Sequence, residues 1–133
     1  MNKAAQLYQD VMEIYPWLDD SICDYHILVP GLLVMNCKDG TTLLFNDLER
    51  TLTKIPSSPE SMTKEQANMM FAILLRNVMS RKGITQQQLS ELTGITQCQI
   101  CKYTYGVSSP SFYTLDKIVR ALGCSAEDLR YVK

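Results

Sequence analysis

The sequence predicts an α+β chain in which a small helix plus β-meander segment precedes an all-α domain of five helices. Three observations carry this reading. The cluster Pro56-Ser57-Ser58-Pro59-Glu60-Ser61 interrupts the chain with residues that no helix or central strand would hold. Before it, short apolar runs of strand length are broken by turn residues. After it, every segment has helical spacing and a recognisable start. The expected organisation is an αβ segment over 1–55, a linker over 56–62 and a helical domain over 63–133.

Taken in order, Lys3 to Tyr15 places Ala4, Leu7, Tyr8, Val11, Met12 and Tyr15 near helical spacing, and Pro16 ends the helix. Trp17 and Tyr15 beside that proline are expected to form a small aromatic core. Leu32 to Cys37 and Thr41 to Phe45 should pair as a hairpin, because Lys38-Asp39-Gly40 supplies the positive-φ residue of a tight turn. A third strand around Thr51 to Ile55 would complete a three-stranded antiparallel sheet. One helix on three strands makes a thin core, so this segment is expected to dock on another surface.

Beyond the linker, Thr63 precedes Lys64-Glu65-Gln66, Thr85 precedes Gln86-Gln87-Gln88, and Thr96 precedes Gln97-Cys98-Gln99. Each has the capping-box spacing, in which the hydroxyl accepts from one orphan amide and the glutamine reaches back to another. Ser125 with Asp128 is a weaker instance, and Ser109 before Pro110 suggests a further start. Gly83, Gly94, Gly106 and Gly123 fall where helices should close.

Composition narrows the function. The chain has 133 residues, 46% of them hydrophobic, and a formal charge of −1. That charge is unevenly spread. Residues 1–63 carry nine acids against four bases, whereas residues 64–133 carry nine bases against five acids. A polyanion would therefore be drawn to the second half, and the acidic first half suits dimerisation or a protein partner. No stretch reaches the eighteen or so apolar residues that cross a bilayer, and the start MNKAAQLYQDVMEIY lacks a secretory apolar run, so no membrane association and a cytoplasmic location are expected. Five cysteines, an odd number, suit reduced thiols. Cys98 and Cys101 have C-x-x-C spacing, but zinc normally takes four ligands and His26 is the single histidine; no metal or cofactor is expected. Nor has His26 an acid or nucleophile at recognisable spacing, so catalysis is not expected.

The stretch from Gln86 to Tyr105 meets the demands of two short helices crossing near a right angle. Ser90 is small where they cross, Gly94 tolerates the turn, and Leu89, Ile95, Ile100 and Tyr103, with Leu92, face the core. Ala67, Met70, Phe71, Leu74, Leu75 and Val78 on the preceding helix, with Leu115, Ile118, Val119 and Leu122 on the following one, should close around the pair.

In these residues the chain resembles the phage repressor and Cro (XRE-type) helix-turn-helix family, over about sixty residues of its second half. Thr85-Gln86-Gln87-Gln88-Leu89-Ser90, Gly94-Ile95-Thr96, Gly106 and Ala121-Leu122-Gly123 with Leu129 carry the likeness. The resemblance implies a five-helix, lambda-repressor-like DNA-binding domain and double-stranded DNA as partner. It further implies that Gln86 holds a phosphate and braces the recognition helix. Gln97, Cys98 and Lys102 occupy positions that reach base edges, Gln99 one that contacts backbone, and Thr96 caps the same edge. Ser108 and Ser111, in the following loop, are expected at phosphates. The family commonly pairs an arginine with a glutamate where this chain has Met79 and Thr104; losing both together leaves no orphan charge. The expected function is a sequence-specific transcriptional regulator, a homodimeric repressor of phage or mobile-element type on a two-fold operator. The alternative expectation is an antitoxin-like or inhibitor module that binds another protein and autoregulates.

Overall fold

The structure, a computed structural model, describes residues 2–56 and 62–130. The chain forms two compact units that divide between Ser61 and Met62. Most of the expected linker, residues 57–61, lies outside the described residues.

The first unit opens with α1 (Lys3–Ile14), whose start is fixed by Asn2: its side-chain oxygen accepts from the Ala5 amide at 2.7 Å. Pro16 cannot continue the helix and begins a 3-10 turn over Pro16–Ser21. Four strands follow, β1 (Ile22–Val29), β2 (Leu32–Cys37), β3 (Thr42–Asn46) and β4 (Thr51–Ile55). They form one antiparallel sheet in chain order. The sheet therefore has four strands where the sequence predicted three. β1 was hidden by the irregularities at both its ends, between Ile22 and Asp24 and between Ile27 and Val29, which break its alternation. The predicted hairpin turn is present, with Gly40 at φ 91°. Asp39 accepts there from the Thr41 amide at 2.9 Å, a bond that holds its carboxyl below the usual carboxylate range.

Register explains the core of this unit. Leu33 lies opposite Phe45 and Met35 opposite Leu43, while Ile27 and Tyr25 continue the same face across β1. Onto that face α1 lays Leu7, Tyr8 and Met12 around a fully buried Val11. Tyr8 stacks on Tyr25 with ring centroids 4.3 Å apart and donates to Asp19 at 2.9 Å. Burial first, and this bond to a carboxylate second, push its hydroxyl up to about 12. Trp17 departs from expectation: it meets Tyr15 edge-on at 5.6 Å but remains 70% exposed, because the 3-10 turn carries it off the sheet.

The second unit consists of α2 (Lys64–Lys82), α3 (Gln86–Thr93), α4 (Gln97–Thr104), α5 (Phe112–Leu122) and a 3-10 turn over Ala126–Leu129. The fifth expected helix is thus a single 3-10 turn. Thr63 with Gln66 and Thr85 with Gln88 form complete capping boxes, each bond between 2.9 and 3.2 Å. α5 begins later than Ser109 and Pro110 suggested: Ser111 is the cap and accepts from the Thr114 amide at 3.4 Å. Leu89, Ile100, Leu74, Leu75, Val78 and Ile118 are completely buried, and Tyr103 packs edge-on to Phe71 at 6.3 Å, as a core residue. Leu92 is 61% exposed and takes no part in the core, although it stands one turn beyond the fully buried Leu89. Among the described residues no helix is long and apolar enough to cross a membrane.

Candidate nucleic-acid interface

α3 and α4 are joined by Gly94, Ile95 and Thr96, and the join is fixed from both sides. Gly94 ends α3 in the left-handed region at φ 79°, a conformation that a side chain would strain. Ser90 has the small side chain needed at the crossing and uses it: its hydroxyl donates to the Ile95 carbonyl at 2.5 Å. Thr93 accepts from the Ile95 amide at 3.1 Å. The turn's polar groups are therefore bonded within the turn, and α4 leaves it in a defined direction.

Thr96 then starts α4, its hydroxyl accepting from the Gln99 amide at 3.2 Å. The box is only half formed here. The Gln99 side chain reaches forward instead, donating to the Ser108 hydroxyl at 3.4 Å. This ties the start of α4 to the loop after it, and leaves Gln99 and Ser108 half-buried.

The helix has two distinct sides. Ile100, Tyr103 and Thr104 are buried against the rest of the unit, whereas Thr96, Gln97, Cys98 and Lys102 are exposed. The buried side is held by three polar contacts at Thr104. Gln86 donates to its hydroxyl at 3.1 Å, that hydroxyl donates to the Cys101 carbonyl at 3.0 Å, and Arg76 donates to its backbone carbonyl at 2.7 Å. Gln86, from the start of α3, thus braces α4 across a separation of 18 residues. The Arg76 guanidinium answers a carbonyl at the helix end, where the helix dipole is negative. Where the family places an ion pair, Met79 and Thr104 are both buried and Thr104 is fully bonded.

The loop after α4 is anchored by a residue that sequence reasoning missed. Asn68, buried on α2, accepts from the Ser109 hydroxyl at 2.5 Å and donates to the Val107 carbonyl at 3.4 Å. Its signal was present: a polar residue between Ala67 and Met70, inside the apolar stripe of α2. Gly106 passes close to the same helix, at φ 78°, and a side chain there would stand 3.4 Å from the Met69 α-carbon. Ser108 faces Gln99, Ser109 is spent on Asn68, and Ser111 caps α5 while remaining exposed. The structure therefore gathers Thr96, Gln97, Cys98, Gln99 and Lys102 on one helix and ties Ser108 to it. Gln86 lies behind that helix, and Ser111 begins the next. Apolar side chains flank the loop: Tyr105 is 71% exposed and Phe112 92%.

A short helix whose inner side is bolted down and whose polar starting edge faces solvent is the geometry of a helix-turn-helix DNA-binding domain. Residues 75–132 match the family model described as the Cro/C1-type HTH DNA-binding domain, and this part of the chain is a domain of that type. Among curated proteins, the SPbeta prophage-derived uncharacterized HTH-type transcriptional regulator YonR of Bacillus subtilis strain 168 is 35% identical over 60 residues. The match covers 45% of this chain and 56% of that protein, so the chain spans about half the length of the curated relative it matches. Among solved structures, an HTH_3-family transcriptional regulator from Vibrio cholerae is 27% identical, covering 50% of this chain and 38% of that chain with a TM-score of 0.48. The restriction-modification controller protein C.AhdI from Aeromonas hydrophila is 24% identical, covering 47% and 96%, with a TM-score of 0.46.

Proposed function

We propose that the protein is a sequence-specific transcriptional regulator, a homodimeric repressor of phage or mobile-element type that binds a two-fold operator. The observation that carries this reading is the exposure of Gln97, Cys98 and Lys102 on a helix whose opposite side is fixed by Gln86, Arg76 and the buried Ile100. Side chains at the start of a recognition helix enter the major groove first. There Gln97 is suited to pair with adenine and Lys102 with guanine, while Cys98 contributes contact without charge. Gln86 and Ser111 meet phosphates beside the groove, and Ser108 holds Gln99 toward the same strand. Thr96 keeps the reading edge in register.

Dimerisation follows from the economy of one short helix, which reads only a few base pairs. Two copies spaced by about one DNA turn, roughly 34 Å, multiply selectivity. The prophage origin in the name of the Bacillus relative supports the mobile-element setting. The acidic first unit is the part we assign to dimerisation or to a protein partner. A gel-shift and footprinting screen against duplexes from the gene's own upstream region tests the proposal. Expected is a protected two-fold site whose affinity falls steeply between low and moderate salt. Binding no stronger to any duplex than to random sequence overturns it.

A further inference from the structure

The reading helix carries a pair of thiols whose spacing DNA contact does not require. Cys98 is exposed and Cys101 half-buried, both thiols are free, and they sit three residues apart on α4. Residues so spaced share one side of a helix, with β-carbons about 5–6 Å apart. A direct disulfide needs them at about 3.5–4.5 Å, so it would distort the helix. An atom placed between the sulfurs removes that conflict: with bonds of about 2.3 Å to each at a pyramidal angle of roughly 90–100°, it holds them about 3.3–3.5 Å apart, against about 2.05 Å in a disulfide. Zinc is poorly served, because it seeks four ligands and no cluster of three metal-ligating side chains exists among the described residues. The spacing instead suits a soft element satisfied by two sulfurs.

We infer that Cys98 and Cys101 form a two-thiol site for a soft, thiophilic ligand that bonds both sulfurs at once, with trivalent arsenic as its representative. An organic arsenic(III) oxide reacts there without redox change. Two arsenic–sulfur bonds form, the arsenic–oxygen bonding is broken, and the oxygen leaves as water with the two thiol protons. Cys98 belongs to the edge assigned to the groove, so a bridged ligand occupies the space that a base pair would fill. This consequence, release from DNA, rests on the function proposed above; formation of the bridge does not.

The test treats the full chain with phenylarsine oxide in excess monothiol, which reverses adducts held by a single sulfur. Trypsin then isolates residues 83–102, a peptide that contains Cys98 and Cys101 and no other cysteine. Expected is one phenylarsenic on that peptide with both thiols consumed, and at least tenfold weaker retention in Cys101→Ala. Both thiols remaining free, or equal retention by wild type and Cys101→Ala, overturns the site. In parallel, duplex affinity should fall at least tenfold on treatment, recover with a dithiol, and be insensitive to the reagent in Cys101→Ala. A protein that binds no duplex before treatment sinks the regulator reading alone, since the peptide masses still decide the thiol site.

Discussion

The two units reach their folds by opposite means. In the helical unit each boundary is decided within three or four residues: Thr63 with Gln66, Thr85 with Gln88, Ser111 with Thr114. In the sheet unit the decisive pairs lie across the chain, such as Leu33 opposite Phe45 and Tyr25 opposite Met35, and they exist only once the strands are in register. Local signals make elements that can be seen one at a time; non-local pairing makes elements that can be seen only together. The surface proposed to read DNA lies in the unit of the first kind, on a helix whose start is capped locally by Thr96 and whose buried side is held by Gln86 and Arg76 from 18 and 28 residues away.

The comparison can be broken most forcefully at the sheet. Phe45 is fully buried where β2, β3, β4 and α1 meet, so Phe45→Ala should cost about 3–5 kcal/mol in denaturant unfolding. A loss below 1 kcal/mol would mean that the sheet does not depend on that non-local core. On the outer side of α4 the balance reverses. Gln97→Ala and Lys102→Ala remove exposed side chains and should leave melting unchanged, while each weakens binding to the preferred duplex by about 1–3 kcal/mol. Competition binding beside a melting curve separates the two effects.

Smaller changes sharpen the contrast. Thr85→Ala deletes the hydroxyl that accepts from the Gln88 amide and should cost about 1 kcal/mol of stability, read as a lower melting temperature. Tyr8 supplies a pH test confined to the first unit. Its hydroxyl is raised from the ordinary 10.0 to about 12, so the folded state favours the neutral form. The resulting stabilisation is complete below pH 10 and is lost as pH climbs from there toward 12. Tyr8→Phe should flatten that decline in melts taken across the range; an unchanged decline would place its cause elsewhere.

What could be read in advance follows the same division. Caps at Thr63, Thr85 and Thr96, the closing Gly94 and the buried Leu89, Ile100 and Tyr103 were legible because helix ends and stripes are local patterns. β1 was not, since Asp24 and His26 interrupt its apolar residues and bulges shift its alternation at both ends. The start of α5 was misplaced because Ser109 resembles a cap, yet spends its hydroxyl on Asn68, 41 residues away. Leu92 and Trp17 were assigned inward from hydrophobicity alone, and both are exposed, because an apolar side chain is buried only where a neighbour covers it. For the reading edge, residue types at Gln97, Cys98 and Lys102 suggested contact. Their exposure, and the bracing of α4 by Gln86 and Arg76, required coordinates.

The central claim is that the exposed edge of α4 discriminates among base pairs. Its most direct test is a binding-site selection run in parallel with wild type and Gln97→Ala on randomised duplexes. The account predicts a two-fold consensus for wild type, and for the variant the same half-site spacing with preference relaxed at the adenine that Gln97 reads. An identical consensus from both proteins, or none from either, would contradict it.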